Sequence, residues 1–297
     1  MSSERAGRTG SEPTGSRWID SASTPTGGPR TPIPIIAAST DNFARAAGPP
    51  VPRDLRVTLN FHPGRGVLAS LARDGVYRSQ FETGTSNGGL TAHPGGARWG
   101  WESRLFGGAY DHVPPADRPK YGALNHRRSE FGGAPRFGSA HLRLREDVLD
   151  RSTFCYPDSV FEPVDFGTAR HLPLIELADA DDRDPLDNYI EAHVHGPVTL
   201  ADVEALVLDP SFRGTEVEDV ARGLPCEVEW HSGFRLSTAD LDPGFRTPES
   251  VALGLAIACD GWLDPWILSQ ADADPQVSKH LWHHLARRAL TAPGPPS

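Results

Sequence analysis

The pattern of apolar and polar positions divides the chain into short alternating runs and short helical periods, with long glycine-rich stretches between them. Leu55 to Phe61 (LRVTLNF) alternates and is rich in β-formers, which predicts a strand that His62 closes and Pro63-Gly64 ends. Gly66 to Arg73 places Val67, Leu68 and Leu71 at helical spacing, with Gly75 positioned as a C-cap. Val76 to Phe81 reads as a second short strand, Phe137 to Leu144 as a third and Asn188 to His195 as a clearly alternating fourth. Beyond these, Thr199 to Asp202 resembles a capping box before a strand at Ala205 to Leu208. Glu216 to Arg222 predicts a helix, Cys226 to Trp230 a strand, and Pro248 to Ala258 and Ser278 to Leu290 two C-terminal helices. Strands and short helices in mixed order, without long crossover helices at regular intervals, predict an α+β domain built from small mixed or antiparallel sheets.

Composition changes the picture at the ends. Ser, Thr, Gly and Pro fill 26 of the first 50 positions, so residues 1–51 are expected to form a disordered tail. Residues 292–297 look the same, leaving 52–291 as one globular domain. No run is apolar and long enough to span a membrane. The three cysteines lack a paired motif, and no signal-peptide pattern is visible; a cytoplasmic protein is expected. Residues 56–151 carry 14 basic and 9 acidic residues, whereas 152–297 carry 9 basic and 25 acidic. That balance speaks against broad nucleic-acid binding and is compatible with a small anionic ligand held by the first half.

Candidate chemistry lies on the fourth strand. Glu191, His193 and His195 share one face with Tyr189, while Ile190, Ala192 and Val194 share the other. The pair His193/His195, with Glu191 or His62, is an alternative set of metal ligands for a hydrolase; no metal is expected otherwise. His280, His283 and His284 beside Arg287-Arg288 read as a solvated helix face. Tyr77 to Gly89 (YRSQFETGTSNGG) crowds hydroxyls and amides before glycine, as loops that receive phosphate or ribose do, although a capped turn explains it equally. Arg118-Pro-Lys-Tyr121 presents a tyrosine between two cations. A catalytically inactive module that binds a nucleotide or peptide is the third reading.

LNFHP, YRSQFETGTSNGGL, LFGGAYD, RPKYGALN, RFGSAHLRL and EAHVHGPVTLADVEALVLDPS, in this order from about Thr58 to Thr215, resemble the bacterial family called domain of unknown function 3626. More distantly, the layout is similar to ADP-ribosyltransferases of the His-Tyr-Glu type. That likeness implies NAD as substrate and an acceptor of unspecified kind. It assigns His62 to the adenosine ribose, Tyr121 to stacking on nicotinamide and Glu191 to the nicotinamide ribose. Arg65, Arg78 and Arg118 are then expected near the pyrophosphate, and Ser79, Gln80, Thr83, Ser86 and Asn87 near the nucleotide. The sequence departs from that pattern at Tyr189, where many such enzymes carry Gln or Glu, and in the long interval between His62 and Tyr121.

Overall fold

The computed structural model describes residues 40–84 and 91–291, apart from the side chains of Thr40 and Arg65. Twelve strands are formed among the described residues: β1 (Val57–Phe61), β2 (Val76–Tyr77), β3 (Lys120–Leu124), β4 (Ala140–Leu144), β5 (Ser152–Tyr156), β6 (Asp165–Thr168), β7 (Ile190–Val194), β8 (Val198–Thr199), β9 (Val203–Leu208), β10 (Glu227–Trp230), β11 (Leu236–Ser237) and β12 (Trp262–Leu263). The helices used below are α1 (Thr40–Phe43), α2 (Val67–Asp74), α3 (Gln80–Thr83), α4 (Ala97–Leu105), α5 (Leu174–Ala180), α6 (Glu216–Arg222), α7 (Pro248–Ile257), α8 (Pro265–Ser269) and α9 (Pro275–Thr291). The α+β class is as expected, but the expected small sheets merge. Eight strands form one sheet in the order β10-β9-β4-β1-β3-β7-β5-β6, and two further sheets have two strands each. Every neighbouring pair in the large sheet is antiparallel except β9 with β10.

Alternation gives this sheet two different faces. Leu59 and Phe61 of β1, Leu142 and Leu144 of β4, Phe154 of β5, and Ile190, Ala192 and Val194 of β7 belong to the main apolar core. That core also takes Leu68 and Leu71 of α2 and Val217 and Ala221 of α6. The residues that alternate with these on each strand, such as Thr58 and Asn60 of β1 and Glu191 and His193 of β7, point the other way. Registry there aligns Tyr121 of β3 with His193 of β7 and Thr153 of β5, and Glu191 of β7 with Ala123 of β3 and Cys155 of β5. A second apolar cluster, with Phe106, Tyr110 and Phe43 at its centre, covers Cys155 on that face. A third, around Phe234, Leu281 and Trp282, ties α9 to α7.

Several local expectations change. Val76 to Phe81 is a two-residue strand followed by α3, because Ser79 and Glu82 form a capping box: Glu82 N–H donates to Ser79 Oγ at 3.2 Å, and Ser79 N–H donates to Glu82 Oε2 at 2.6 Å. The glycine-rich stretch Thr83 to Gly108 contains α4. The expected tail ends earlier than residue 51: Phe43 and Val51 are buried, Phe43 at 5.8 Å from the Phe106 ring. His283 and His284 are buried rather than solvated. Among the described residues, no helix is long and apolar enough to cross a membrane.

Candidate functional site

A cleft of about 550 Å³ opens on the polar face of the large sheet, within the size range of small-molecule sites. His62, at the end of β1, Tyr121 of β3 and Glu191 of β7 all line it, and these strands are consecutive neighbours in the sheet. The His62 ring meets the Trp282 indole edge-on at 5.0 Å, which seats it against α9. Of the other residues expected at a nucleotide, Arg78, Gln80 and Thr83 also line the cleft. Gln80 Oε1 is buried and has no partner among the described residues. Ser79 is instead the buried cap of α3, and its hydroxyl donates to the Pro115 carbonyl at 2.6 Å. Arg118 is buried against Glu102 and the Phe81 ring, away from the cleft lining. The side chain of Arg65, and Ser86 and Asn87, lie outside the described residues.

Tyr121 and Glu191 are held by groups that no motif announces. Tyr121 Oη donates to Glu102 Oε2 at 2.7 Å, and Arg118 pairs with the other oxygen of Glu102. Burial pushes the Glu102 carboxyl up, partly opposed by the Tyr121 hydrogen bond and the Arg118 charge. The Arg98 guanidinium lies 3.8 Å from the centre of the Tyr121 ring, a cation–π contact in a desolvated setting. Arg98 Nη1 also donates to Ser159 Oγ at 3.2 Å, and Ser159 Oγ donates to Glu191 Oε2 at 3.2 Å. Arg98 therefore touches both the tyrosine and, through one hydroxyl, the carboxylate.

Behind Glu191 runs a buried hydrogen-bond chain. His193 Nε2 lies 3.0 Å from Glu191 Oε1 and its Nδ1 3.1 Å from Thr153 Oγ1. Thr153 Oγ1 lies 2.9 Å from His195 Nε2, whose Nδ1 is 2.6 Å from Tyr110 Oη. With one proton on each imidazole, the donors run one way: Tyr110 to His195, His195 to Thr153, Thr153 to His193 and His193 to Glu191. His195 thus spends both ring nitrogens on hydroxyls, those of Thr153 and Tyr110. Burial pushes the His195 imidazole down to about 3, helped by His193 and Arg151.

Two carboxylates in the cleft are driven apart in acidity. Burial raises Glu191, but the His193 hydrogen bond, the Arg98 charge and the Ser159 hydrogen bond act against it, and its pKa falls below the ordinary value. Asp158, which accepts from Val160 N–H at 2.6 Å and from Tyr189 Oη, is raised by burial and then by the Glu191 charge. The site therefore keeps its negative charge on Glu191 and a proton on Asp158 more readily than a free carboxyl would.

A buried anionic carboxylate, a fixed tyrosine and a strand-end histidine on one cleft define the class: an α+β protein with a cleft of small-molecule size into which polar and charged side chains face. The chain belongs to the family described as Protein of unknown function (DUF3626), whose model matches residues 56–178 and 170–292. It is also similar to the "Gene 2 protein" of Mycobacterium phage D29, at 29% identity over 188 residues, covering 54% of this chain and 69% of that protein.

Proposed function

We propose that this chain is an NAD-dependent ADP-ribosyltransferase in which Glu191 stabilises the ribose cation and Tyr121 and His62 position the dinucleotide. The observation that carries the reading is the convergence of His62, Tyr121 and Glu191, from three consecutive strands, on one cleft. In the reaction the bond between ribose C1′ and the nicotinamide nitrogen breaks, its electron pair leaves with nicotinamide, and an acceptor nucleophile bonds to C1′ and gives up its proton. Positive charge develops on the ribose in the transition state. An ionised carboxylate already in place beside it needs no reorganisation to stabilise that charge. The lowered pKa of Glu191 supports this role, because the anion is present before substrate arrives. Gln80, Thr83 and Arg78 line the same cleft and supply polar groups for ribose hydroxyls and phosphate.

Glu191→Gln tests the assignment. Glutamine keeps the size and one accepting oxygen while removing the charge. NAD affinity, measured by calorimetry, is expected to stay within a few-fold, and single-turnover nicotinamide release to fall on the order of a hundredfold or more. Unchanged release in the variant, or no NAD turnover by the wild-type chain with any acceptor, overturns the reading.

A further inference from the structure

Cys155 takes no part in the proposed transfer, yet it faces the carboxylate at the heart of it. We infer that Cys155 Sγ, Glu191 Oε1 and His193 Nε2 form a preorganised site for a thiophilic divalent cation such as Zn²⁺, and that metal binding there withdraws Glu191 from the cleft chemistry. The cation-binding part stands by itself; the inhibitory part rests on the transferase reading.

The geometry is the argument. Sγ lies 3.8 Å from Glu191 Oε1 and 3.7 Å from His193 Nε2, and the latter two atoms are 3.0 Å apart. These are the three ligand atoms of one cluster, all buried. Bond lengths of about 2.3 Å to sulfur and about 2.0–2.2 Å to nitrogen or oxygen, at tetrahedral angles, put neighbouring donors roughly 3.3–3.6 Å apart. Each observed separation is within a few tenths of an ångström of that, so one ion fits with side-chain adjustment alone. The backbone is already set, because Cys155 is the registered partner of Glu191 across β5 and β7, and His193 follows two residues along the same face.

The surroundings suit a metal as well. A ligating histidine is normally oriented through its second ring nitrogen, and here His193 Nδ1 already faces Thr153 Oγ1 at 3.1 Å. Glu191 Oε2 is held by Ser159, leaving Oε1 to the ion. Glu191 lines the cleft whereas Cys155 and His193 are fully buried, so entry and the fourth, water position are on the cleft side. Proton bookkeeping closes with one proton released. The thiol loses its proton to solvent, and His193 moves its own from Nε2 to Nδ1 by reversing the hydrogen bonds through Thr153 and His195 to Tyr110. Thiolate, carboxylate and a divalent ion then sum to zero charge in a site where net charge is costly.

Co²⁺ is the probe, because its thiolate complexes absorb in the near ultraviolet by charge transfer. Full-length Cys226→Ser/Cys259→Ser protein, which keeps Cys155 as its sole thiol, is expected to develop this band and saturate at one equivalent. Cys155→Ser is expected to lose it while keeping its circular dichroism spectrum. Zn²⁺ should displace Co²⁺ and, in the wild-type chain, suppress NAD turnover in proportion to occupancy. Absence of the band in the Cys226→Ser/Cys259→Ser protein, or its persistence in Cys155→Ser, overturns the site. A Cys155-dependent band in a chain without NAD turnover upholds the site and removes the transferase reading alone.

Discussion

Arg98 is a buried cation with three kinds of partner: the Tyr121 ring at 3.8 Å, the Ser159 hydroxyl, and the field of Glu102, Asp158 and Glu191. Losing it would leave those carboxylates facing one another with less compensation, and a buried charge stripped of its partner typically costs about 3–5 kcal/mol. Arg98→Met keeps much of the length and apolar contact and removes the charge. It is expected to lower unfolding free energy by roughly 3 kcal/mol, read by urea denaturation, and to depress nicotinamide release further than the stability loss explains. Arg98→Lys keeps the charge but not the flat guanidinium, so it should recover most of the stability and little of the activity. Equal behaviour of the two variants would mean that Arg98 acts by packing alone. Nothing in ARWGWESRL signals this role, since an arginine beside two tryptophans reads as readily as a surface residue. His62, Tyr121 and Glu191 could be picked out from the sequence by a resemblance and do line one cleft; Arg98, Glu102 and Asp158 could not, because each acts through a contact distant in sequence.

At the scale of elements, legibility followed periodicity. Helix α6 and strand β7 emerge from the pattern because one side of each is apolar and the other is not. Strands β3 (KYGAL) and β5 (STFCY) escape it: their core-facing sides carry Lys120 and Gly122 beside Leu124 and Ser152 beside Phe154, so neither shows a clean apolar side in sequence. Helix α4 follows Gly96, which offers no side-chain cap, and has Gly100 inside it, so neither start signal nor propensity marks it. The histidines of α9 mislead for a related reason, since that helix packs against α7, α8 and the segment Pro135–Phe137, and polar residues on it are enclosed. One element junction allows a sharp test. A Cβ at Gly138 would lie 1.9 Å from the Phe61 carbonyl carbon and 2.1 Å from its oxygen, backbone atoms of the β1 end that carries His62. Gly138→Ala must therefore push β1 and β4 apart, with an expected loss of about 1–3 kcal/mol or more and impaired NAD binding through His62. Gly214→Ala is the comparison: its φ of +71° is unfavourable, but nothing lies within 4 Å, so only a loss of about 1 kcal/mol is expected. Thermal melts that rank the two the other way would show that the β1 end yields easily.

Among the described residues, His141 and His283 are, like His195, pushed far below the ordinary imidazole value by folding, and this shapes the response of the whole molecule to acid. His141, on the cleft-side face of β4, is pushed down to about 3 by burial, then by His231 and Arg143, and its Nδ1 has no partner among the described residues. His283, inside the α9 packing, is pushed down to about 2 by burial and then by Arg246, Arg136, Lys279 and His280; both of its ring nitrogens lack partners among the described residues. In the unfolded chain each titrates near 6.5. Above that pH neither state binds the proton, and the histidines make no pH-dependent contribution. Below it the unfolded state binds protons that the folded state refuses, so stability falls with falling pH, by about 1.4 kcal/mol per unit for each histidine. The fall continues until the folded-state values near 3 and 2 are reached. Glu102 and Asp158, raised in the folded state, act in the opposite sense, since the fold accepts their protons first as pH drops. A total stability curve therefore mixes both signs, and a difference curve separates them. His283→Leu removes one refusing site at similar volume. Its stability relative to wild type, from urea denaturation between about pH 5 and 8, should be constant above pH 7 and improve by about 1.4 kcal/mol per unit below pH 6.5. Parallel curves across that range would mean that His283 finds a proton-accepting partner in the folded chain, and that acid unfolding starts elsewhere.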